Sequence, residues 1–119
     1  MNVAFYGAGG KVGSAITPLL VAAGHAVHDA RGAGLGDADV ALDFTRPDAV
    51  AGNLAAVLEA RIPMVIGTTG FDADEVDRRA REAGIACFHA PNFATGAVLM
   101  MRFAREARAL LPDAEIVEL

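Results

Sequence analysis

The stretch Gly7-Ala8-Gly9-Gly10-Lys11-Val12-Gly13 follows directly on the apolar run Val3-Ala4-Phe5-Tyr6, and it limits the possible folds more than any other part of the chain. A strand, a glycine-rich turn and a helix start, in that order, form the arrangement that holds a dinucleotide pyrophosphate. Glycine lets backbone approach backbone and ligand with no Cβ between them. The N–H groups left over at the helix start then face the phosphates, and the helix dipole favours their negative charge. Lys11 is the only lysine. It reads either as an ammonium on a phosphate or as a solvated helix-start residue.

Strand and helix patterns alternate after this point. The first strand covers about 2–6, and the first helix runs from about Gly10 to Ala23 with Gly24 as its stop. Pro18 inside that helix removes one hydrogen bond and predicts a kink. The second strand spans about His25–Asp29. The Gly-, Ala- and Asp-rich segment Ala30–Asp39 suits a loop or one helical turn better than a full helix. A third strand, Val40–Phe44, leads to a helix capped by Thr45 with Pro47 in its first turn. Its apolar face is Val50, Leu54, Val57 and Leu58. A fourth strand, Pro63–Gly67, precedes a helix opened by Asp72 with Glu75 and stopped by Gly84. On that helix, Glu75, Asp77, Arg78, Arg79, Arg81 and Glu82 read as one solvated face. A fifth strand (Ile85–His89), a last helix (Thr95–Leu111) and a strand beginning at Glu115 complete the pattern. The expected fold is α/β: a Rossmann-type, doubly wound parallel sheet forming one domain over residues 1–119.

In such a sheet, ligands bind beyond the carboxyl ends of the strands. Asp29 and Arg31 follow the second strand, at roughly the twenty-residue offset from the glycine loop where an acid accepts from the adenosine ribose. An arginine there pairs instead with a 2′-phosphate, so the sequence leaves NADH and NADPH both open. Gly67-Thr68-Thr69-Gly70 offers hydroxyls and backbone N–H groups to a ribose, an amide or a small anion. Asn92 offers a carboxamide to the cofactor or substrate, or is simply a turn residue after Pro91. The histidines, His25, His28 and His89, lack the spacing of a metal site, and no zinc-type cluster appears. Cys87 is the only cysteine, which excludes an intrachain disulfide and fits a cytoplasmic protein. The net charge of −5 argues against nucleic acid or an anionic membrane as the main partner. No apolar run reaches the ~18 residues of a membrane span. No basic-then-apolar leader is read at the N-terminus.

Four motifs together carry a family resemblance: Gly7–Gly13, Asp43-Phe44-Thr45-Arg46-Pro47, Val65-Ile66-Gly67-Thr68-Thr69-Gly70-Phe71 and Ala90-Pro91-Asn92-Phe93-Ala94-Thr95-Gly96-Ala97. In this order, at these strand ends, the set resembles the 4-hydroxy-tetrahydrodipicolinate reductases of lysine and diaminopimelate synthesis. The resemblance implies hydride transfer from NADH or NADPH to a cyclic dicarboxylate. By motif, Gly7, Ala8, Gly9, Gly10, Lys11 and Val12 would hold the pyrophosphate. Gly67, Thr68 and Thr69 would line the nicotinamide and its ribose, and Ala90, Pro91, Asn92 and Phe93 would wall the reacting ring. The chain is shorter than the family around Asp29 and Arg31. In the family, the segment like Ala114–Leu119 leads into a histidine pair, a lysine and a carboxylate-binding stretch within a substrate domain that also builds a homotetramer. None of these residues occurs here. The chain therefore reads as an N-terminal cofactor-binding piece without a catalytic residue or a metal of its own. The alternatives are the first domain of another nicotinamide enzyme, such as an aspartate or homoserine dehydrogenase, and a stand-alone nucleotide-binding module without catalysis.

Overall fold

Five parallel strands form one sheet in the computed structural model, which describes residues 1–111 and 113. The strands are β1 (Asn2–Tyr6), β2 (Ala26–Asp29), β3 (Val40–Asp43), β4 (Met64–Ile66) and β5 (Cys87–His89). They alternate with α1 (Lys11–Ala22), α2 (Ala30–Ala33), α3 (Pro47–Glu59), α4 (Ala73–Ala83) and α5 (Thr95–Arg108). The sheet order is β2-β1-β3-β4-β5. The chain winds from β1 out to β2, crosses back to β3, and continues the other way. Right-handed crossovers then put α1 on one face and α2, α3 and α4 on the other. The reversal between β1 and β3 is the switch point at which doubly wound sheets bind ligands. The expected α/β fold is the one observed. The strand expected from Glu115 lies outside the described residues.

The larger core lies under α2, α3 and α4. Ala4, Ala41, Met64 and Ile66 from the sheet meet Ala30, Val50, Leu54, Val57 and Val76 from the helices, all buried. The apolar spacing on α3 thus does what its period implies, with Leu58 partly buried at the margin. Asp72 caps α4 by accepting from the Glu75 N–H at 3.0 Å. Glu75 does not reach back to complete a capping box; its carboxylate pairs with Arg78 at 2.7 Å. The α4 surface is less uniformly solvated than its composition implies. Asp77 turns to His89 at 3.1 Å, and Arg79 donates to the Ala51 carbonyl of α3 at 3.3 Å.

Three helices end in the same six-residue motif, with different stop residues. Gly24 has φ +86°; its N–H donates to Val21 and the His25 N–H to Leu20. Gly84 has φ +66° and repeats the pattern through Arg81 and Ala80. After α3 the same turn is made by Arg61 at φ +57°, with Arg61 donating to Leu58 and Ile62 to Val57. Arg61 is the non-glycine member of this set and gives no sequence signal of a stop. Pro18 does not interrupt α1, which runs unbroken through it. Thr45 is not the cap of α3. Arg46 holds that position without a side-chain bond, and the Thr45 hydroxyl is drawn to Asp43 instead.

Candidate nucleotide-binding site

The glycines after β1 divide into two roles. Gly13 is buried where α1 crosses the turn: a Cβ there would stand 2.2 Å from the Gly7 carbonyl oxygen and 2.5 Å from that of Ala8. Gly7 combines φ +91° with a backbone approach in which a Cβ would meet the Phe44 oxygen at 2.5 Å. Both therefore serve packing of the turn. Gly9 is different, because a Cβ there would have nothing within 4 Å. Its backbone borders open space, as a ligand cradle requires. Gly10 closes the turn through its N–H to the Gly7 carbonyl at 2.9 Å, so this donor is spent within the protein. The donors beyond it are not. No side chain caps α1, its first turn has no acidic residue, and among the described residues no backbone carbonyl takes the N–H of Lys11 or Val12. Lys11 is exposed at the first helical position. This electropositive, uncrowded helix start fits a pyrophosphate.

A cavity of about 590 Å³ opens at the switch point, lined by Gly7, Ala8, Gly9, Gly10, Asp29, Arg31, Phe44, Thr45 and Arg46. It brings the glycine turn together with the two residues after β2, as the sequence pattern anticipates. Asp29 also works locally: its Oδ1 accepts from the Arg31 N–H at 3.0 Å and caps α2. Phe44, Thr45 and Arg46 are additional lining residues. Their signal in the sequence was their place at the carboxyl end of a strand next to the switch point. Arg46 is exposed and pairs with Asp48 at 3.2 Å.

A second, smaller cavity of about 220 Å³ lies past β4 and β5, lined by Thr68, Thr69, Gly70, Phe71, Ala73, His89, Ala90 and Pro91. Here Thr69 is exposed, while Thr68 is buried. Gly67 borders neither cavity. A Cβ on it would stand 2.1 Å from the Phe44 ring, so this glycine makes room for the aromatic side chain. Phe44 in turn packs on Phe5 and Phe93, at centroid distances of 5.8 Å each. Phe93 is thus tied to the first cavity through Phe44. The Asn92 Oδ1 accepts from the Ala94 N–H at 2.8 Å, which makes it a turn residue, and it lines neither cavity. His89 is held between Asp77 and the Phe71 ring, which it meets in a T-shaped pair with centroids 5.6 Å apart.

Two titratable groups on the strands are shifted. Burial first, and the Asp43 carboxylate second, push the Tyr6 phenol above its ordinary value. Burial, then Asp77, does the same to the Cys87 thiol. Among the described residues no group of three or more His, Cys, Asp or Glu side chains is placed to hold a metal ion. None of the described helices is long and apolar enough to cross a membrane.

Comparison with known proteins gives a consistent result. A family model described as dihydrodipicolinate reductase, N-terminus, matches residues 20–93. The 4-hydroxy-tetrahydrodipicolinate reductase of Cutibacterium acnes is 43% identical over an alignment of 134 residues, covering 100% of this chain and 52% of the relative. That of Beutenbergia cavernae is 41% identical, covering 100% and 53% respectively. Among solved structures, the dipicolinate-bound dihydrodipicolinate reductase of Paenisporosarcina sp. TG-14 superposes with a TM-score of 0.70 at 29% identity, over 92% of this chain and 54% of that one. The chain thus spans about half the length of the curated relatives it matches.

Proposed function

The chain belongs to the dihydrodipicolinate reductase family, and from that premise we propose that it is the cofactor-binding part of an NAD(P)H-dependent reductase. The substrate is 4-hydroxy-tetrahydrodipicolinate and the product tetrahydrodipicolinate, as in lysine and diaminopimelate synthesis. The observation that carries the reading is the switch-point cavity, where an open Gly9 and an uncapped α1 face Asp29 and Arg31. NAD(P)H supplies the hydride when bound. The chain's own part is to bind and orient. The Lys11 and Val12 N–H groups receive the pyrophosphate, and Asp29 and Arg31 take the adenosine ribose end. The loop after β4, chiefly Thr69, lines the nicotinamide end together with Ala90 and Pro91. Such positioning is a large part of catalysis by any hydride-transfer enzyme. No residue of this chain is assigned as proton donor. In our reading the chain by itself binds cofactor without turning over substrate, the complete enzyme is a cytoplasmic homotetramer, and its partner is a small cyclic dicarboxylate.

Calorimetric titration with NADH and NADPH tests this reading. Gly9→Val points a branched side chain into open space, so the fold is expected to persist with its melting temperature unchanged while binding of both cofactors is lost. Undiminished affinity in that variant would remove the glycine turn from the site. Arg31→Ala is expected to lower NADPH affinity relative to NADH by roughly tenfold, the loss of one charge-assisted contact. An unchanged ratio would exclude Arg31 from 2′-phosphate recognition.

A further inference from the structure

Asp43, the last residue of β3, is wholly buried. A carboxylate in that position is tolerated only when hydrogen bonds replace its lost hydration. Here four do so. Asp43 Oδ1 accepts from the Thr45 N–H at 3.0 Å, from the Thr45 hydroxyl, and from the Thr68 hydroxyl at 3.1 Å; Oδ2 accepts from Asn53 Nδ2 at 2.8 Å. The Thr45 N–H is shared with Thr68 Oγ1 at 2.8 Å. Thr45 lines the larger cavity and Thr68 the smaller. One carboxylate therefore holds a wall residue of each.

We propose that Asp43 is a positioning residue that locks the two halves of the dinucleotide crevice in register, and that the Thr68 hydroxyl is part of this lock rather than a ligand group. The inference rests on the cofactor site argued above. A hydroxyl has one proton to donate. In Thr68 that proton goes to Asp43, and one lone pair is filled by the Thr45 N–H. Thr68 cannot donate to a ligand without releasing the lock. The neighbouring exposed Thr69 has no such obligation among the described residues. Asn53 extends the same lock to the second turn of α3. The backbone ladder continues it at β4, where the Gly67 N–H donates to the Asp43 carbonyl at 2.8 Å.

The test separates the two halves of the crevice. ADP occupies only the glycine-turn half, whereas NADH spans both. The full chain is titrated with each, as wild type and as Asp43→Asn, Asp43→Asn/Asn53→Asp, Thr68→Val and Thr68→Ser. Asp43→Asn turns Oδ2 into an amide facing the Asn53 amide, and is expected to weaken NADH roughly tenfold or more while ADP stays within about twofold. The added Asn53→Asp change restores an acceptor opposite the new amide and recovers most of the NADH affinity. Thr68→Val follows Asp43→Asn, and Thr68→Ser follows the wild type. Equal losses for ADP and NADH would reduce Asp43 to general support of the fold and overturn the proposal, as would full NADH affinity in Thr68→Val. If Asp43→Asn fails to fold, Thr68→Val, with the carboxylate intact, decides the matter by the same comparison. A wild type that binds neither ligand would instead refute the cofactor site itself.

Discussion

Along one face of the sheet, the cross-strand row Ala4, Ala41 and Met64 is sealed beneath α2, α3 and α4. One residue further along each strand, the row Phe5, Leu42, Val65 and Phe88 faces the other way. Phe5 is fully buried, Leu42 and Val65 are half-buried, and Phe88 is 58% exposed. Parallel sheets are ordinarily covered on both faces. Here the cover on the second face fades from β1 towards β5. The helix α1 packs beside β2, and α5 buries none of its residues. Its Val98, Leu99, Met100, Met101 and Phe103 remain exposed, as does Phe93, which stacks edge-on with Phe88 at 5.9 Å. An apolar helix pattern is thus necessary for burial but not sufficient. Burial also needs a facing surface, which α3 finds in the sheet and α5 does not.

The largest expected effect follows from this contrast. Leu54→Ala on the sealed face removes a fully buried side chain and should cost about 3 kcal/mol through lost transfer energy and a residual cavity. Phe88→Ala deletes a larger side chain on the open face, and should cost less than about 0.5 kcal/mol in the same urea titration. A comparable loss for Phe88→Ala would mean that the second face is covered in solution, and the contrast between the faces would fail.

The sequence was legible where the determining partners are close together. The 3.6-residue period on α3, Asp72 before α4, and Gly24 and Gly84 after α1 and α4 all act over a few positions. The glycine turn and the Asp29–Arg31 pair were also legible, because one cavity gathers what the strand ends present. The Asp43 lock was not. Beyond the adjacent Thr45, its partners lie 10 and 25 residues away, on α3 and after β4, so the lock follows from the β3–β4 pairing rather than from local pattern alone. The Asp77–His89 pair escaped the reading of α4 as a solvated face for the same reason. Thr45 was misread because a hydroxyl that can cap a helix can equally serve a buried carboxylate, and tertiary contact decides between them.

A smaller effect, of opposite sign, is available on the sealed face. Arg61 ends α3 in the left-handed region at φ +57°, a conformation that costs an L-residue roughly 1–2 kcal/mol. Glycine relieves that strain but returns about 0.5–1 kcal/mol of backbone entropy to the unfolded chain. Arg61→Gly is therefore expected to stabilise the protein by about 0.5–1 kcal/mol, and Arg61→Ala, which keeps the Cβ, to give no gain. A loss on Arg61→Gly in thermal unfolding would show that the arginine side chain contributes more than its backbone costs.

The smallest effect is a pH dependence confined to the sealed face. Tyr6 adjoins Asp43 in the strand register, and Cys87 adjoins Met64; both are pushed above their ordinary values, chiefly by burial. The sign is fixed by which form the folded state prefers. A group whose folded pKa lies above its unfolded one contributes its full stability below the unfolded value and loses it as pH rises through the folded value. For Cys87 the loss begins above about pH 9 and for Tyr6 above about pH 10, from the ordinary values of these side chains. Stability measured by denaturant titration should therefore decline on the alkaline side in two overlapping steps. Cys87→Ala should remove the earlier step and Tyr6→Phe the later one, each leaving the slope at neutral pH unchanged. On the other face, the row Phe5, Leu42, Val65 and Phe88 carries no thiol or phenol, and its β2 member is the carboxylate Asp29. An alkaline decline that persists unaltered in the double variant would place its source elsewhere in the chain, and would separate the sealed core from the pH dependence assigned to it.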